Sequence, residues 1–220
     1  MEKMPLWERL RKFAERSYAE DFGVPNDAIR AFKLAAGSFV LDRADDMFEE
    51  SNSPDDFAFT IATRQGQLCA LYNGTLVKSP IEGQLAAAIL WIDCEWAGFP
   101  SVNEYLDLDA HDPEPICPQA HLTPQAAVLS YKVDLLLWFR CRNKIGGIAI
   151  ECDGHAFHEK TREQAARDKR RDRELLAAGF PVMRFSGSEI FNDPVGCAEQ
   201  VRGVASEILY RVSKEGGLFA

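Results

Sequence analysis

The chain has no paired cysteine motif. Its six cysteines are scattered, and no two of them form a C-x-x-C pair. The cysteines are Cys69, Cys94, Cys117, Cys141, Cys152 and Cys197. This pattern predicts neither a disulfide framework nor a thiolate zinc site, and free thiols are typical of a reducing cytoplasm.

Long apolar segments are also missing. The longest uncharged apolar run covers residues 85–92, which is far shorter than the roughly 20 residues that span a bilayer. Residues 1–12 carry charges from the second position onward and contain no apolar stretch typical of a secretion signal. We therefore expect a soluble cytoplasmic protein with no membrane partner.

Composition and charge give a more specific expectation. The 220 residues are 46% hydrophobic and 27% charged, which is typical of a globular protein. The net charge of −9 disfavours an anionic partner when the chain is taken whole. However, residues 125–185 hold twelve basic and eight acidic residues, a balance of +4, so the rest of the chain carries −13. The basic segment could therefore contact phosphates even though the chain as a whole is acidic.

The first part of the chain, residues 1–78, has no chemical signature. Apolar residues at helical spacing predict helices near residues 6–13 and 28–36, separated by a turn at 23–27. Residues 57–71 fit a strand or a helix. We interpret residues 1–78 as a mainly helical extension of unknown function, which could mediate homodimer formation, DNA contact or binding of a protein partner.

Residues 79–220 have the pattern of an α/β domain. Ser79, Pro80 and Glu82 form a capping-box pattern that opens a helix ending near residues 98–100, and an acidic loop covers 106–118. Strands follow at 131–140 and 147–153, then a polar helix near 160–178, a strand at 180–185 and a final amphipathic helix. This order predicts helices packed around a mixed sheet.

Three carboxylates converge at one edge of this sheet. If the two strands pair about the turn at 141–146, Asp134 lies opposite Glu151 or one position away, with Asp153 on the same face as Glu151. Clustered carboxylates need a compensating cation, and oxygen ligands favour Mg²⁺ or Mn²⁺. Such a site suits metal-assisted phosphodiester hydrolysis. The alternative is that these acids are separate, solvated strand-edge residues.

Two histidines and a lysine follow the carboxylates directly. His155, His158 and Lys160 could provide a general acid or base near a metal-bound water. The histidines could also be metal ligands, but zinc is disfavoured because the sequence offers no soft third ligand nearby.

A set of residues in fixed order and spacing connects these features. The set comprises Glu82, Gln125, Tyr131, Asp134, Glu151, Asp153, Gly154, His158, Asp168, Arg171, Asp172, Leu175, Gly179, Arg184 and Phe185. In the order and spacing of these residues, the chain from residue 79 to about residue 201 resembles the PD-(D/E)XK nuclease superfamily. The branch it resembles is similar to very-short-patch-repair endonucleases. Residues 1–78 lie outside the resemblance.

The resemblance implies a restriction-endonuclease-like core and a double-stranded DNA substrate. It implies Asp134 and Glu151, with Asp153 beside them, as ligands of Mg²⁺ or Mn²⁺, and Glu82 as a further carboxylate near the catalytic site. The superfamily signature places a lysine where this chain has Asp153, so the group that orients the water is open. His158 is the first candidate for that role and His155 the second.

The remaining site residues have supporting roles in this interpretation. Lys132 and Lys160 could supply the cation that the signature lysine would provide. Arg171 and Arg184 would face the site or the phosphate backbone, with Asp168 orienting them. Gln125 completes the supporting set. The alternative is that the charges of the polar helix form intrahelical pairs on a solvated face.

Three functions are consistent with this sequence. The first is a metal-dependent DNA endonuclease. The second is a catalytically inactive nuclease-fold module that binds nucleic acid or a protein, and the third is a metal-dependent phosphoesterase acting on RNA or a nucleotide.

Overall fold

The computed structural model of the chain describes residues 23–49, 54–103, 118–154 and 161–218. Its helices are α1 (Asn26–Glu49), α2 (Pro54–Asn73), α3 (Pro80–Ile89), α4 (Arg162–Ala177), α5 (Gly187–Asn192) and α6 (Pro194–Glu215). Its strands are β1 (Ser101–Val102), β2 (Gln119–Pro124), β3 (Ala127–Val128), β4 (Tyr131–Lys132), β5 (Leu135–Cys141), β6 (Lys144–Asp153) and β7 (Val182–Ser186). None of the helices in these ranges combines the length and apolar character needed to cross a bilayer.

Five of the described strands form one mixed sheet in the order β1-β2-β5-β6-β7. The inner pairs β2/β5 and β5/β6 are antiparallel, whereas the outer pairs β1/β2 and β6/β7 are parallel. Strands β3 and β4 form a separate two-stranded ribbon. The mixed sheet flanked by helices confirms the predicted α/β class.

Helices α1, α3 and α6 cover one face of the sheet. Odd-numbered β5 residues such as Leu137 and Phe139 point into this core and are fully buried, because successive strand side chains alternate between faces. Helix α6 contributes an apolar stripe at helical spacing, Val201, Ala205, Ile208 and Val212. A Cβ added to Gly146 would lie 2.8 Å from Val212 Cγ2, so glycine permits close packing of α6 on β6.

Helix α4 covers part of the opposite face. There Leu136, Trp138 and Ala149 pack with Leu175 and Phe180 in a smaller cluster. Leu175 is the one buried residue of α4, because most of the helix is charged. Most polar side chains of α4 are exposed, whereas Arg171 and Asp172 contact residues of the neighbouring strands β6 and β7.

Several sequence predictions differ from the observed elements. The helix that begins at residue 80 ends at Ile89 instead of continuing toward residue 98. Residues 57–71 lie within helix α2. The predicted strand 131–140 is divided into β4 and β5, and the turn between β5 and β6 is only two residues long, with φ +53° at Arg142. The predictions for residues 1–22 and for residues 106–117 of the acidic loop lie outside the described residues.

Strand β2 and helix α5 are two of the elements that the sequence analysis missed. Strand β2, with sequence QAHLTP, lacks the run of β-branched residues that marks a strand, and it is held by β1 and β5 on its two sides. Helix α5 is six residues long, too short for a periodic signal.

Helix α1 shares the core of the segment that follows residue 79. Ala31, Phe32 and Ala36 are fully buried, and the Phe32 ring packs edge-on against Trp91 with 5.2 Å between ring centroids. The division into an extension of residues 1–78 and a domain of residues 79–220 stays a prediction. Helix α1 precedes residue 79 in the chain, yet it packs against α3 and shares a core with it.

Candidate active site

The predicted carboxylates meet where β5 begins and β6 ends. The register pairs Leu135 with Ile150, so Asp134, one residue before β5, lies beside Glu151. Glu151 in turn pairs with Arg184 of β7. We call Asp134, Glu151, Asp153, Arg171 and Arg184 the strand-end site.

Asp134 is fixed by two main-chain contacts. Its Oδ2 accepts a 2.8 Å hydrogen bond from the Cys152 N–H, and its carbonyl accepts a 2.7 Å bond from the Gln125 N–H. Gln125 has φ +52°, a left-handed conformation at the end of β2. The Asp134 carboxylate is therefore held against β6 by the sheet itself.

Gln125 also connects Glu82 to this region. The Oε2 of Glu82 accepts a 2.8 Å bond from Gln125 Nε2 and a 2.9 Å bond from the Lys78 N–H. Ser79 Oγ accepts from the Glu82 N–H at 3.2 Å, so the predicted N-cap is confirmed. The Glu82 side chain bonds to Lys78 instead of completing a reciprocal box with Ser79.

The pKa of the Cys152 thiol is raised by burial and by several nearby carboxylates. Burial raises the pKa of its thiol well above the usual range, and the charges of the surrounding carboxylates raise it further. The contributing carboxylates are Asp134, Glu82, Glu151 and Asp153. Glu82 thus lies in the same electrostatic neighbourhood as the three strand carboxylates, and its role at the site stays a prediction.

Glu151 is the most perturbed carboxyl of the strand-end site. It is 7% exposed, and burial raises its pKa from 4.5 to about 7. Arg171 lowers the pKa through its charge, whereas nearby Asp134 raises it. A carboxyl with this pKa can exchange a proton near neutral pH, which is a property of groups that act in acid and base chemistry.

Arg171 reaches this carboxylate from α4. Its Nη2 donates to Glu151 Oε1 and, at 3.0 Å, to the Lys132 carbonyl. Its guanidinium lies 5.9 Å from the centroid of the Tyr131 ring, and the Tyr131 hydroxyl donates to Glu174 Oε2 at 2.6 Å. The sequence analysis missed the Tyr131–Glu174 contact, although Glu174 lies one turn after Arg171 on the same helix.

Arg184 connects β7 to α4. It donates to Asp172 Oδ1 at 2.8 Å and lies 3.7 Å from Asp153 Oδ1. Asp168 is half-buried one turn before Asp172 on α4. Its role in orienting the two arginines stays a prediction, as does phosphate contact by Arg171 and Arg184.

The donor set determines which metal could fit. No group of three or more His, Cys, Asp or Glu residues suited to hold a metal occurs in the described parts of the chain. Asp153 approaches Arg184, which leaves Asp134 and Glu151 as the adjacent pair. Two carboxylate ligands with water in the other positions are typical of Mg²⁺, so the donor chemistry of this pair fits that ion. Metal ligation by Asp134, Glu151 and Asp153 stays a prediction.

Some predicted site residues are not in the described ranges. His155, His158 and Lys160 lie between Gly154, which follows β6, and Thr161, the N-cap of α4. By chain connectivity these three residues join the two elements that carry Glu151 and Arg171. Lys132 is exposed, and its carbonyl is the group that contacts Arg171.

Glu151 should make folding stability fall as pH rises. Its pKa is raised from 4.5 to about 7 in the folded state, so between these values the folded chain binds more protons than the unfolded chain. Stability then decreases with increasing pH in this window. We expect Glu151→Gln to gain stability relative to wild type between about pH 5 and about pH 8, measured by urea unfolding. An equal difference at both pH values would contradict this expectation.

The comparisons with known proteins agree with this geometry. A family model described as REase_MTES_1575, a restriction endonuclease-like family, matches residues 118–204. The match runs from the residue before β2 into α6 and includes the whole strand-end site. No curated protein and no solved structure matches the chain significantly. The match and the mixed sheet together support a restriction endonuclease-type domain in this chain, which suggests a nuclease.

Proposed function

We propose that this protein is a metal-dependent DNA endonuclease that uses Mg²⁺ or Mn²⁺ at Asp134 and Glu151. The observation that carries the proposal is the position of these two carboxylates side by side at the start of β5 and the end of β6. Both lie inside the segment that is similar to restriction endonucleases. We also infer the finer similarity to very-short-patch-repair endonucleases and a cytoplasmic location.

The side chains of the strand-end site would have different roles in hydrolysis. A bound Mg²⁺ would supply a water of lowered pKa and offset charge on the reacting phosphate. Asp134 is rigidly held, so it would fix the position of the site, whereas Glu151 could also exchange a proton. His158, or alternatively His155, would orient the water. Lys132 or Lys160 would supply a cation where the signature lysine is missing.

Helix α4 supports DNA as the substrate. Its exposed basic residues are Arg162, Arg167, Lys169, Arg170 and Arg173. Contacts from such side chains to phosphates position a duplex without reading its sequence. Arg171 of α4 contacts Glu151, so a duplex that lies along α4 would pass beside the strand-end site. Residues 1–78 could add a homodimer or protein-partner contact.

Cleavage of supercoiled plasmid tests this function directly. We expect the purified protein to convert supercoiled plasmid to nicked or linear forms with Mg²⁺ or Mn²⁺, and to lose this activity in EDTA. Undiminished cleavage in EDTA would contradict the metal requirement.

Binding and cleavage measurements with other substrates separate the alternatives. Binding without cleavage of duplex DNA, single-stranded DNA or RNA in either ion would favour an inactive nuclease-fold module. Preferential cleavage of RNA would favour the phosphoesterase alternative.

A further inference from the structure

Glu151, a carboxylate of the proposed metal site, is in contact with Arg171. Its Nη2 contacts Glu151 Oε1, and both side chains are largely buried, at 17% and 10% exposure. A buried carboxylate is stable only when a cation or hydrogen bonds compensate it. In the structure, Arg171 provides this compensation for Glu151.

A single guanidinium does not neutralise the charges of both carboxylates. Asp134 lies beside Glu151, and the two negative charges repel each other. Arg171 carries one positive charge for two adjacent carboxylates, whereas a divalent ion carries two. A divalent ion would also repel the guanidinium at a separation of a few ångströms. The ion and Arg171 therefore compete for Glu151.

Arg171 has contacts that would remain if it released Glu151. The Lys132 carbonyl accepts from it at 3.0 Å, and the Tyr131 ring lies beneath the guanidinium. Tyr131 is itself held by Glu174. In addition, the Arg171 Nε is buried and has no hydrogen-bond partner among the described residues. This donor could take a new acceptor after a small movement.

We propose that Arg171 is an exchangeable counter-ion of Glu151, which it neutralises in the metal-free protein and releases when a divalent ion binds at Asp134 and Glu151. The proposal rests on the proposed metal site. The exchange breaks one ionic hydrogen bond and no covalent bond. Metal affinity would accordingly be limited by the Arg171–Glu151 contact.

Metal titration of an Arg171 variant tests the exchange without measuring cleavage. We expect Arg171→Met to bind Mn²⁺ at least about fivefold more tightly than wild type, the lower end of typical coupling between two linked contacts. Free Mn²⁺ would be followed by electron paramagnetic resonance at one fixed pH for all variants. Arg167→Met is the matched control, because Arg167 is exposed one turn earlier on α4. It should change the affinity less than about twofold, since exposed charges interact weakly.

A second variant and a second measurement test the exchange even if Arg171→Met does not fold. Arg171→Lys keeps the charge but not the planar fork, and we expect its Mn²⁺ affinity to lie between those of wild type and Arg171→Met. In wild type, the Nε–H NMR resonance of Arg171 should shift on Mg²⁺ addition. Unchanged affinity in both variants, or an Arg171 resonance that does not move while Mg²⁺ binds, would overturn the exchange.

Glu151→Gln distinguishes failure of this inference from failure of the proposed function. If Glu151→Gln binds Mn²⁺ as wild type does, the metal site itself is assigned wrongly. If it loses Mn²⁺ while Arg171→Met gains no affinity, the metal site stands and the exchange is wrong.

Discussion

Asp134→Asn and Glu151→Gln should each reduce plasmid cleavage by on the order of a thousandfold, the range expected when a group that acts on the transition state is removed. Both substitutions keep the shape of the side chain and remove its charge. The amide oxygen introduced by Asp134→Asn can still accept from the Cys152 N–H, so the sheet contact at 2.8 Å should persist. The initial rate of nicking in Mg²⁺, with folding checked by circular dichroism, is the measurement.

The control for these variants is a carboxylate on the opposite side of the sheet. Glu207 is exposed on α6, which packs on the face away from α4. Glu207→Gln should cleave plasmid at the wild-type rate. If both Asp134→Asn and Glu151→Gln cleave plasmid at an undiminished rate, the site is assigned wrongly, whatever the rate for Glu207→Gln.

Phe32→Ala should lower the free energy of unfolding by about 3–5 kcal/mol, as is typical when a buried aromatic ring is truncated. Phe32 is fully buried in α1 and contacts Trp91, which follows α3. The cavity would lie beneath the helix that carries Glu82. Urea unfolding of both proteins at one pH gives the difference.

Leu34→Ala is the matched control for Phe32→Ala. Leu34 lies two residues further along α1 but is 45% exposed, so its truncation should cost well under about 1 kcal/mol. If Phe32→Ala costs as little as Leu34→Ala, α1 does not stabilise the core, and the predicted boundary at residue 79 gains support.

The sequence was sufficient to predict the meeting of Asp134 and Glu151. Two strands joined by a short turn have few possible registers, so Asp134 was expected opposite Glu151 or one position away. The short turn between β5 and β6 therefore limits which acids lie side by side. The N-cap at Ser79 and the end of α4 near Gly179, which has φ +91°, were local signals of the same kind.

Contacts between distant segments were not predictable from these patterns. The Arg171–Glu151 pair was missed because helical spacing shows which α4 residues share a face but not which strand residue they meet. The Gln125–Glu82 bond joins residues 43 positions apart and depends on the left-handed conformation of Gln125. Such contacts are set by the packing of whole elements, for which the sequence gives no local signal.

The bond from the Cys152 N–H to Asp134 continues the β5/β6 ladder by one step beyond its last main-chain pair, Leu135 with Ile150. A side-chain oxygen there accepts the hydrogen bond that a strand carbonyl would otherwise accept. The loss of conformational entropy for Asp134 is therefore incurred when the sheet folds, and not when a ligand arrives. This carboxylate is preorganised by the same cooperative interactions that stabilise the sheet, so its geometry should persist for as long as the protein stays folded.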